Sequence, residues 1–149
     1  MRELSLADLT AIVALDQLCF DDEWSVGQWQ SYLSNHHRFL ALPIDYHNRL
    51  VGFALYSYLF DEAELLRICV EPKHRGLGLS VHAMSLHIAS LRRKGVHRLM
   101  LEVRESNRPA RGLYTTLGFA VDGVRKDYYP ACGDAPKEDA ILMSLKLVG

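Results

Sequence analysis

The segment that most constrains this chain is Val70-Glu71-Pro72-Lys73-His74-Arg75-Gly76-Leu77-Gly78-Leu79-Ser80, a glycine-bearing loop between two apolar stretches of different period. Ahead of it, Glu64 to Val70 reads as a strand that ends at Glu71-Pro72. Behind it, Val81, Met84, Leu86, His87, Ile88 and Leu91 give a helix with a broad apolar face. Lys94-Gly95 ends that helix, and Arg92, Arg93 and Lys94 suit the negative end of its dipole. His97 to Val103 then reads as another strand. Two strands joined through a helix lie parallel, because only a crossover of that length returns the chain to the same edge.

The remaining elements complete a mixed α/β sheet. Ser5-Leu6-Ala7-Asp8 opens a helix in which Leu9, Ile12, Val13 and Leu18 recur at roughly helical spacing. A second short helix starts at Ser25, with Trp29, Tyr32 and Leu33 on one face. Phe39 to Ile44 and Leu50 to Phe60 read as strands separated by the turn Asp45-Tyr46-His47-Asn48. A short helix from Pro109 to Leu117 is stopped by Gly118, and strands at Phe119 to Asp127 and Glu138 to Leu147 close the chain as a hairpin. Neither a repeat nor a linker divides the 149 residues, so a single domain over 1–149 is expected.

Charge and cysteine content exclude several classes of function. Lys and Arg total 17 against 18 for Asp and Glu. With no basic block there is no concentrated positive face for nucleic acid. Cys19, Cys69 and Cys132 are scattered, odd in number and without CxxC spacing, which reads as reduced thiols in the cytoplasm. The seven histidines show no HExxH-like spacing, so no metal site is expected, and His36-His37 read as loop. Met1-Arg2-Glu3-Leu4 opens without the apolar run of a signal peptide, and no stretch approaches the roughly 20 apolar residues of a membrane span.

A loop between a strand and a helix presents unpaired N–H groups at the positive end of a helix dipole, which suits an anion. Gly76 and Gly78 allow close backbone approach, Ser80 adds a small hydroxyl, and Arg75 either supplies charge or braces the loop. A plain tight turn is the competing reading. A dinucleotide fingerprint fails for want of a third glycine, and a P-loop fails for want of Gly-Lys-Ser/Thr.

A second block, Leu101-Glu102-Val103-Arg104-Glu105-Ser106-Asn107, carries a carboxylate inside an apolar strand. Glu102 lies either on a wet face or half-buried with a raised pKa. Asn107 caps the following helix in its structural reading, and Tyr114 beside Leu113 and Leu117 could serve only to pack.

Together these segments resemble the GNAT superfamily of acetyltransferases. Arg75-Gly76-Leu77-Gly78-Leu79-Ser80 matches its Arg/Gln-x-x-Gly-x-Gly/Ala signature, with Ser80 at the final small position and Val70-Glu71-Pro72 ahead of it. Asn107, Ala110, Leu113-Tyr114 and Leu117-Gly118-Phe119 match its Asn-x-x-Ala-x-x-Leu-Tyr-x-x-Leu-Gly-Phe block. Leu101 to Arg104, Tyr128-Tyr129-Pro130, Glu138 to Met143 and Trp24-Ser25 further resemble the RimI-type branch, with Glu23 where that branch usually has Pro. Those enzymes acetylate the N-terminal alanine of a small-subunit ribosomal protein.

The resemblance implies a GNAT fold, a mostly antiparallel mixed sheet splayed at an acetyl-CoA site and flanked by helices. It implies cofactor contacts from Ile68, Cys69, Val70, Arg75, Gly76, Leu77, Gly78, Leu79, Ser80, Val81 and Asn107. It also implies Glu102 as general base and Tyr114 as general acid toward the CoA sulfur, with an N–H near Cys69 or Val70 for the oxyanion. The implied partner is a protein or peptide N-terminus, and lysine or a small amine is the alternative acceptor. Tyr128-Tyr129 either line the peptide groove or pack an edge strand, and Asp21, Asp22 and Glu23 either meet a basic peptide or stay solvated. Two rivals are kept open: a Cys69 nucleophile, which lacks an evident His–Asp partner, and a non-catalytic acetyl-CoA-binding module.

Overall fold

The computed structural model describes residues 1–147, so the last two residues of the expected 1–149 domain lie outside the described residues. A 3-10 turn (Leu6–Asp8) leads into α1 (Leu9–Cys19), followed by α2 (Val26–Ser34), β1 (Phe39–Tyr46), β2 (Arg49–Leu59) and β3 (Glu62–Val70). After a 3-10 turn (Pro72–His74) come α3 (Leu79–Arg93), β4 (Arg98–Arg104), α4 (Arg108–Thr116), β5 (Ala120–Tyr129) and β6 (Glu138–Lys146). The two N-terminal helical starts are fixed locally by capping boxes, Ser5 with Asp8 and Ser25 with Gln28. The β1–β2 turn tightens onto His47-Asn48, both in the left-handed region (φ 50° and 62°).

The sheet has the order β1-β2-β3-β4-β6-β5. Every neighbouring pair is antiparallel except β3–β4, which the α3 crossover makes parallel. That parallel pairing covers only Glu62↔Arg98, Ala63↔Leu99 and Glu64↔Met100. Beyond it β3 stays with β2 as far as Gly52↔Val70, and β4 stays with β6 as far as Arg104↔Ala140. The sheet therefore opens between the second halves of β3 and β4, the splay that the family resemblance implied.

Helices α3 and α4 pack on one face over Leu40, Tyr56, Leu65, Leu99, Leu101 and Met143, with Met84, Leu91 and Tyr114 contributed from the helices. On the other face α1 and α2 bring Ile12, Leu15, Trp29 and Leu33 against Phe53, Leu55 and Cys69. Along β4, Leu99, Leu101 and Val103 are buried, while Met100 and Glu102 are half-buried and Arg104 is exposed. β5 is exposed over most of its length.

Two expected core positions are corrected. Leu86 is 46% exposed and Leu18 58% exposed. The buried stripe of α3 is narrow, Ala83, Met84, His87 and Leu91, and Leu86 falls outside it. In α1 the stripe is Ile12, Leu15 and the carboxylate Asp16, which leaves Leu18 turned to solvent. His87 is wholly buried but polar in function: its Nε2 donates to Pro43 O (2.8 Å), so its Nδ1 accepts from the Tyr56 hydroxyl (3.0 Å). Among the described residues no helix is long and apolar enough to cross a membrane, and no group of three or more His, Cys, Asp or Glu could hold a metal ion.

Candidate active site

The loop after β3 places α3 at the mouth of the splay. Gly76 and Gly78 both adopt left-handed backbone (φ 82° and 72°), and Gly78 is the N-cap of α3, without any side-chain cap. A Cβ at either position would meet no protein atom within 4 Å, so within the chain it is the backbone angle that reserves them for glycine. The first N–H to bond back into the helix belongs to His82, to Gly78 O at 3.2 Å. The N–H groups of Leu79, Ser80 and Val81 precede it, at the positive end of the dipole and without intrahelical partners. Arg75 turns out to brace the loop: its Nε donates to Val70 O at 2.9 Å. Glu71 fixes the preceding turn by pairing with Arg49 (2.8 Å) and touching His74.

A cleft of about 660 Å³ runs from this loop into the opened sheet. Its walls include Ile68, Cys69, Val70, Arg75, Gly76, Gly78, Leu79, Ser80, Val81 and Asn107, all singled out from the sequence. Leu77 is not among the lining residues and is 55% exposed. The sequence reading missed the rest of the lining: Cys19 and Phe20 from the end of α1, His74, and Pro109, Ala110, Leu113 and Thr116 from α4. Among the described residues no carboxylate lines the cleft, whereas the Arg75 guanidinium does, which suits an anionic ligand. Asn107 caps α4 by accepting the Ala110 N–H (3.3 Å) at Oδ1. Its structural role and its place on the cleft wall therefore coexist.

Gly52 was also missed. A Cβ there would stand 2.1 Å from the Cys69 carbonyl oxygen, so β2 and β3 approach each other only because this residue is glycine. That contact sets where the Cys69–Val70 backbone stands on the cleft wall. An isolated glycine inside a strand pattern was the available signal.

Glu102 and Tyr114 do not line the cleft itself. Glu102 is half-buried on β4, just past the last β3–β4 rung, with Arg125 Nη1 at 3.5 Å. Beside it stands Glu64 of β3, whose pKa is raised by burial first and by the Glu102 charge second. Tyr129 is raised by burial and then by Glu102, and it carries the Arg104 guanidinium over its ring at 4.1 Å. Tyr114, buried on α4 against Phe119, is pushed up to about 12 by burial and then by Tyr129. Tyr129 is thus within electrostatic reach of both candidate catalytic groups. Glu64 had the same signal as Glu102, a carboxylate interrupting an apolar strand. Cys69 is an unsuitable nucleophile, because burial and the neighbouring Cys19 hold its thiol in the protonated form.

A splayed mixed sheet with an uncapped helix N-terminus at the mouth of a cleft that no carboxylate of the described residues lines suits a phosphate-bearing ligand. The family model described as Acetyltransferase (GNAT) family matches residues 9–119, and the chain belongs to that family of acetyl-CoA-dependent acyltransferases. A [ribosomal protein bS18]-alanine N-acetyltransferase of Haemophilus influenzae is 33% identical over 147 residues, 99% of this chain and 98% of the relative. The Escherichia coli K12 enzyme of the same description is 34% identical over 148 residues, 99% of this chain and 97% of the relative. The crystal structure of the E. coli ribosomal-protein-S18-alanine N-acetyltransferase has a TM-score of 0.87 at 33% identity, covering 98% of this chain and 92% of that one. A Salmonella typhimurium protein solved with acetyl-CoA has the same fold, with a TM-score of 0.82 at 21% identity, covering 99% and 93%.

Proposed function

We propose that this protein, acting as a single domain, transfers an acetyl group from acetyl-CoA to the N-terminal alanine of ribosomal protein bS18. The near full-length match to bacterial enzymes of that description supports the acceptor. The observation that carries the chemistry is the opening between β3 and β4, with unpartnered N–H groups at one end and the Glu64–Glu102–Tyr129 group beside it. A ribosomal-protein acceptor would be met in the cytoplasm, and the free thiols of Cys19, Cys69 and Cys132 are in keeping with a reducing compartment.

The N–H groups of Leu79, Ser80 and Val81 would hold the diphosphate of acetyl-CoA, and the Ile68–Val70 edge would line its pantetheine arm. Bound acetyl-CoA supplies a thioester, an acyl group already activated for attack. Glu102 takes the proton of the acceptor amine at its carboxylate. An α-amine titrates near 8, so this is a modest requirement at neutral pH. Tyr114, held up to about 12, keeps its proton at Oη near neutrality and is the proton source for the leaving sulfur. No covalent enzyme intermediate is needed, because holding the two reactants in register supplies much of the acceleration.

The test is labelled acetyl-CoA with peptides beginning Ala, Ser, Gly and Met, a bS18 N-terminal peptide, and an N-blocked lysine peptide. The expected result is label on the α-amine of the alanine-first peptides, strongest on bS18. Label confined to lysine would refute the acceptor, and tight cofactor binding without transfer to any amine would refute catalysis.

A further inference from the structure

Two of the three cysteines stand together on the wall of the cleft. Cys19 is the last residue of α1 and is half-buried, while Cys69 lies on β3 and is buried. Both belong to the apolar layer between α1, α2 and the sheet, and the Cys69 thiol is within hydrogen-bonding reach of the Cys19 thiol. The Cys19 S–H also donates to Val70 O at 3.5 Å. That carbonyl is the one that takes the Arg75 Nε–H and so braces the glycine loop ahead of α3. Cys132, by contrast, is exposed between β5 and β6 and is not part of the cleft wall.

A half-buried thiol on a cleft wall, with a second thiol directly behind it, has the parts of an oxidation site. Cys19 is the one that meets an oxidant entering the cleft. Cys69 is too firmly protonated to attack a passing acyl group, but here it has only to attack a sulfur already beside it, and proximity of that kind offsets a low thiolate fraction. In a reducing compartment such a bond is transient, formed under oxidant and then lost to reduction.

We infer that Cys19 and Cys69 form an oxidation site, at which a hydroperoxide closes a disulfide along the cleft wall and so weakens acetyl-CoA binding. The peroxide O–O bond breaks as Cys19 Sγ takes one oxygen; the thiol becomes a sulfenic acid and the peroxide is reduced to water or an alcohol. Cys69 Sγ then attacks that sulfur, the S–S bond forms, and the hydroxyl leaves as water with the Cys69 proton. Two thiols give up two electrons in all, and one peroxide takes them. The bond is shorter than any non-bonded contact between sulfurs, so it draws the end of α1 onto β3, which its pairing with β2 holds in place. The cleft narrows there, and Val70 O loses the Cys19 donor beside the one from Arg75. The effect on binding rests on reading this cleft as the acetyl-CoA site.

The test treats the whole chain, carrying Cys132→Ser to prevent pairing between molecules, with hydrogen peroxide. Remaining thiols are then blocked with N-ethylmaleimide and linkages mapped by non-reducing peptide mass spectrometry. The expected result is a Cys19–Cys69 linked peptide that dithiothreitol reverses. The acetyl-CoA dissociation constant, by calorimetry after peroxide is removed, should rise about tenfold, within the usual range for coupling between two sites. Coupling is reciprocal, so saturating acetyl-CoA should make the bond about tenfold easier to reduce in a dithiothreitol redox buffer. Cys19→Ser and Cys69→Ala, each compared with its own untreated form, should keep their affinity after peroxide. Oxidation that stops at Cys19 without linking to Cys69 would overturn the inference, as would unreacted thiols at both positions. So would a link that leaves acetyl-CoA affinity unchanged, or an equal loss of affinity in peroxide-treated Cys69→Ala. If the reduced, untreated protein failed to bind acetyl-CoA, the reading of the cleft would fall, and with it the effect on binding. The linkage map would still decide whether the two thiols pair.

Discussion

The base and acid roles proposed for Glu102 and Tyr114 can be separated by substitution. With Glu102 as the proposed general base, Glu102→Gln is expected to lower transfer about 100-fold, the low end for loss of such a group; Glu102 is not among the cleft-lining residues, so the cofactor cleft itself is left intact. The deficit should be largest at low pH, where most acceptor amine is protonated, with acetyl-CoA affinity by calorimetry unchanged. Tyr114→Phe keeps the ring that packs on Phe119 and removes only the hydroxyl. Transfer should slow while unfolding free energy changes by about 1 kcal/mol or less. A collapse of stability in urea would make Tyr114 a packing residue. His87 carries a separate prediction. Burial holds it at about 4, against an ordinary 6.5, because an imidazolium between Tyr56 and Pro43 O would lose its water and one acceptor bond. Between pH 6.5 and 4 the unfolded chain therefore binds a proton that the folded chain refuses. Stability should be complete above pH 6.5 and fall by about 3 kcal/mol as pH drops through that window. Urea unfolding at several pH values tests this, and His87→Gln should flatten the slope.

The elements were legible to the extent that local chemistry sets them. Ser5 and Ser25 start helices because their hydroxyls cap within their own turn, and the turn at Asn48 is forced by residues beside it. The glycine loop that opens α3 was legible for the same reason, since Gly76, Gly78 and the N-terminus of α3 are contiguous. What could not be read depends on residues far apart in the chain. The pairing of Asp16 with Arg67 spans two elements, and nothing near Leu86 announces that α3 buries so narrow a stripe. Gly52 sits between these cases: the glycine was visible, but its reason lies across the strand pair, at Cys69 O. Gly52→Ala must push β3 away from β2, and overpacking of this kind costs about 1–3 kcal/mol. Because the displaced atoms belong to the cleft wall, acetyl-CoA affinity should fall as well. Gly27, inside α2, is the control: a Cβ there meets only Ser25 Oγ at 3.8 Å. Gly27→Ala should stabilise by about 0.5–1 kcal/mol through helix propensity and leave acetyl-CoA binding unchanged. Paired urea and calorimetry measurements decide it, and equal effects from the two substitutions would contradict the role given to Gly52.

At the scale of the whole molecule, the sheet is two half-sheets joined by a short seam. β1, β2 and β3 form one half under α1 and α2, and β4, β6 and β5 form the other. Their backbone connection is the pairing at residues 62–64 and 98–100, and the cleft occupies the side where that connection is missing. A ligand seated there touches β3 and the loop into α3 on one side, and α4 on the other. It adds contacts across the opening that the protein does not make for itself. Acetyl-CoA should therefore stabilise the protein globally as well as at the loop. At a concentration 100 times its dissociation constant, a ligand binding only the folded state adds about 2.7 kcal/mol. For a chain of this size that corresponds to a rise in Tm of roughly 5–10 °C. Hydrogen exchange should slow at the amides of residues 79–81, which gain a phosphate acceptor, and along 68–70. Residues 120–125 of β5, which contribute nothing to the cleft lining, should not respond. ATP, which shares the diphosphate but has no pantetheine arm, should give a smaller shift confined to the loop. If acetyl-CoA protected the loop but not residues 68–70, the ligand would be held by its phosphates alone and the opening between β3 and β4 would not be its channel. If neither region responded at saturating acetyl-CoA, the cleft would not be the donor site at all.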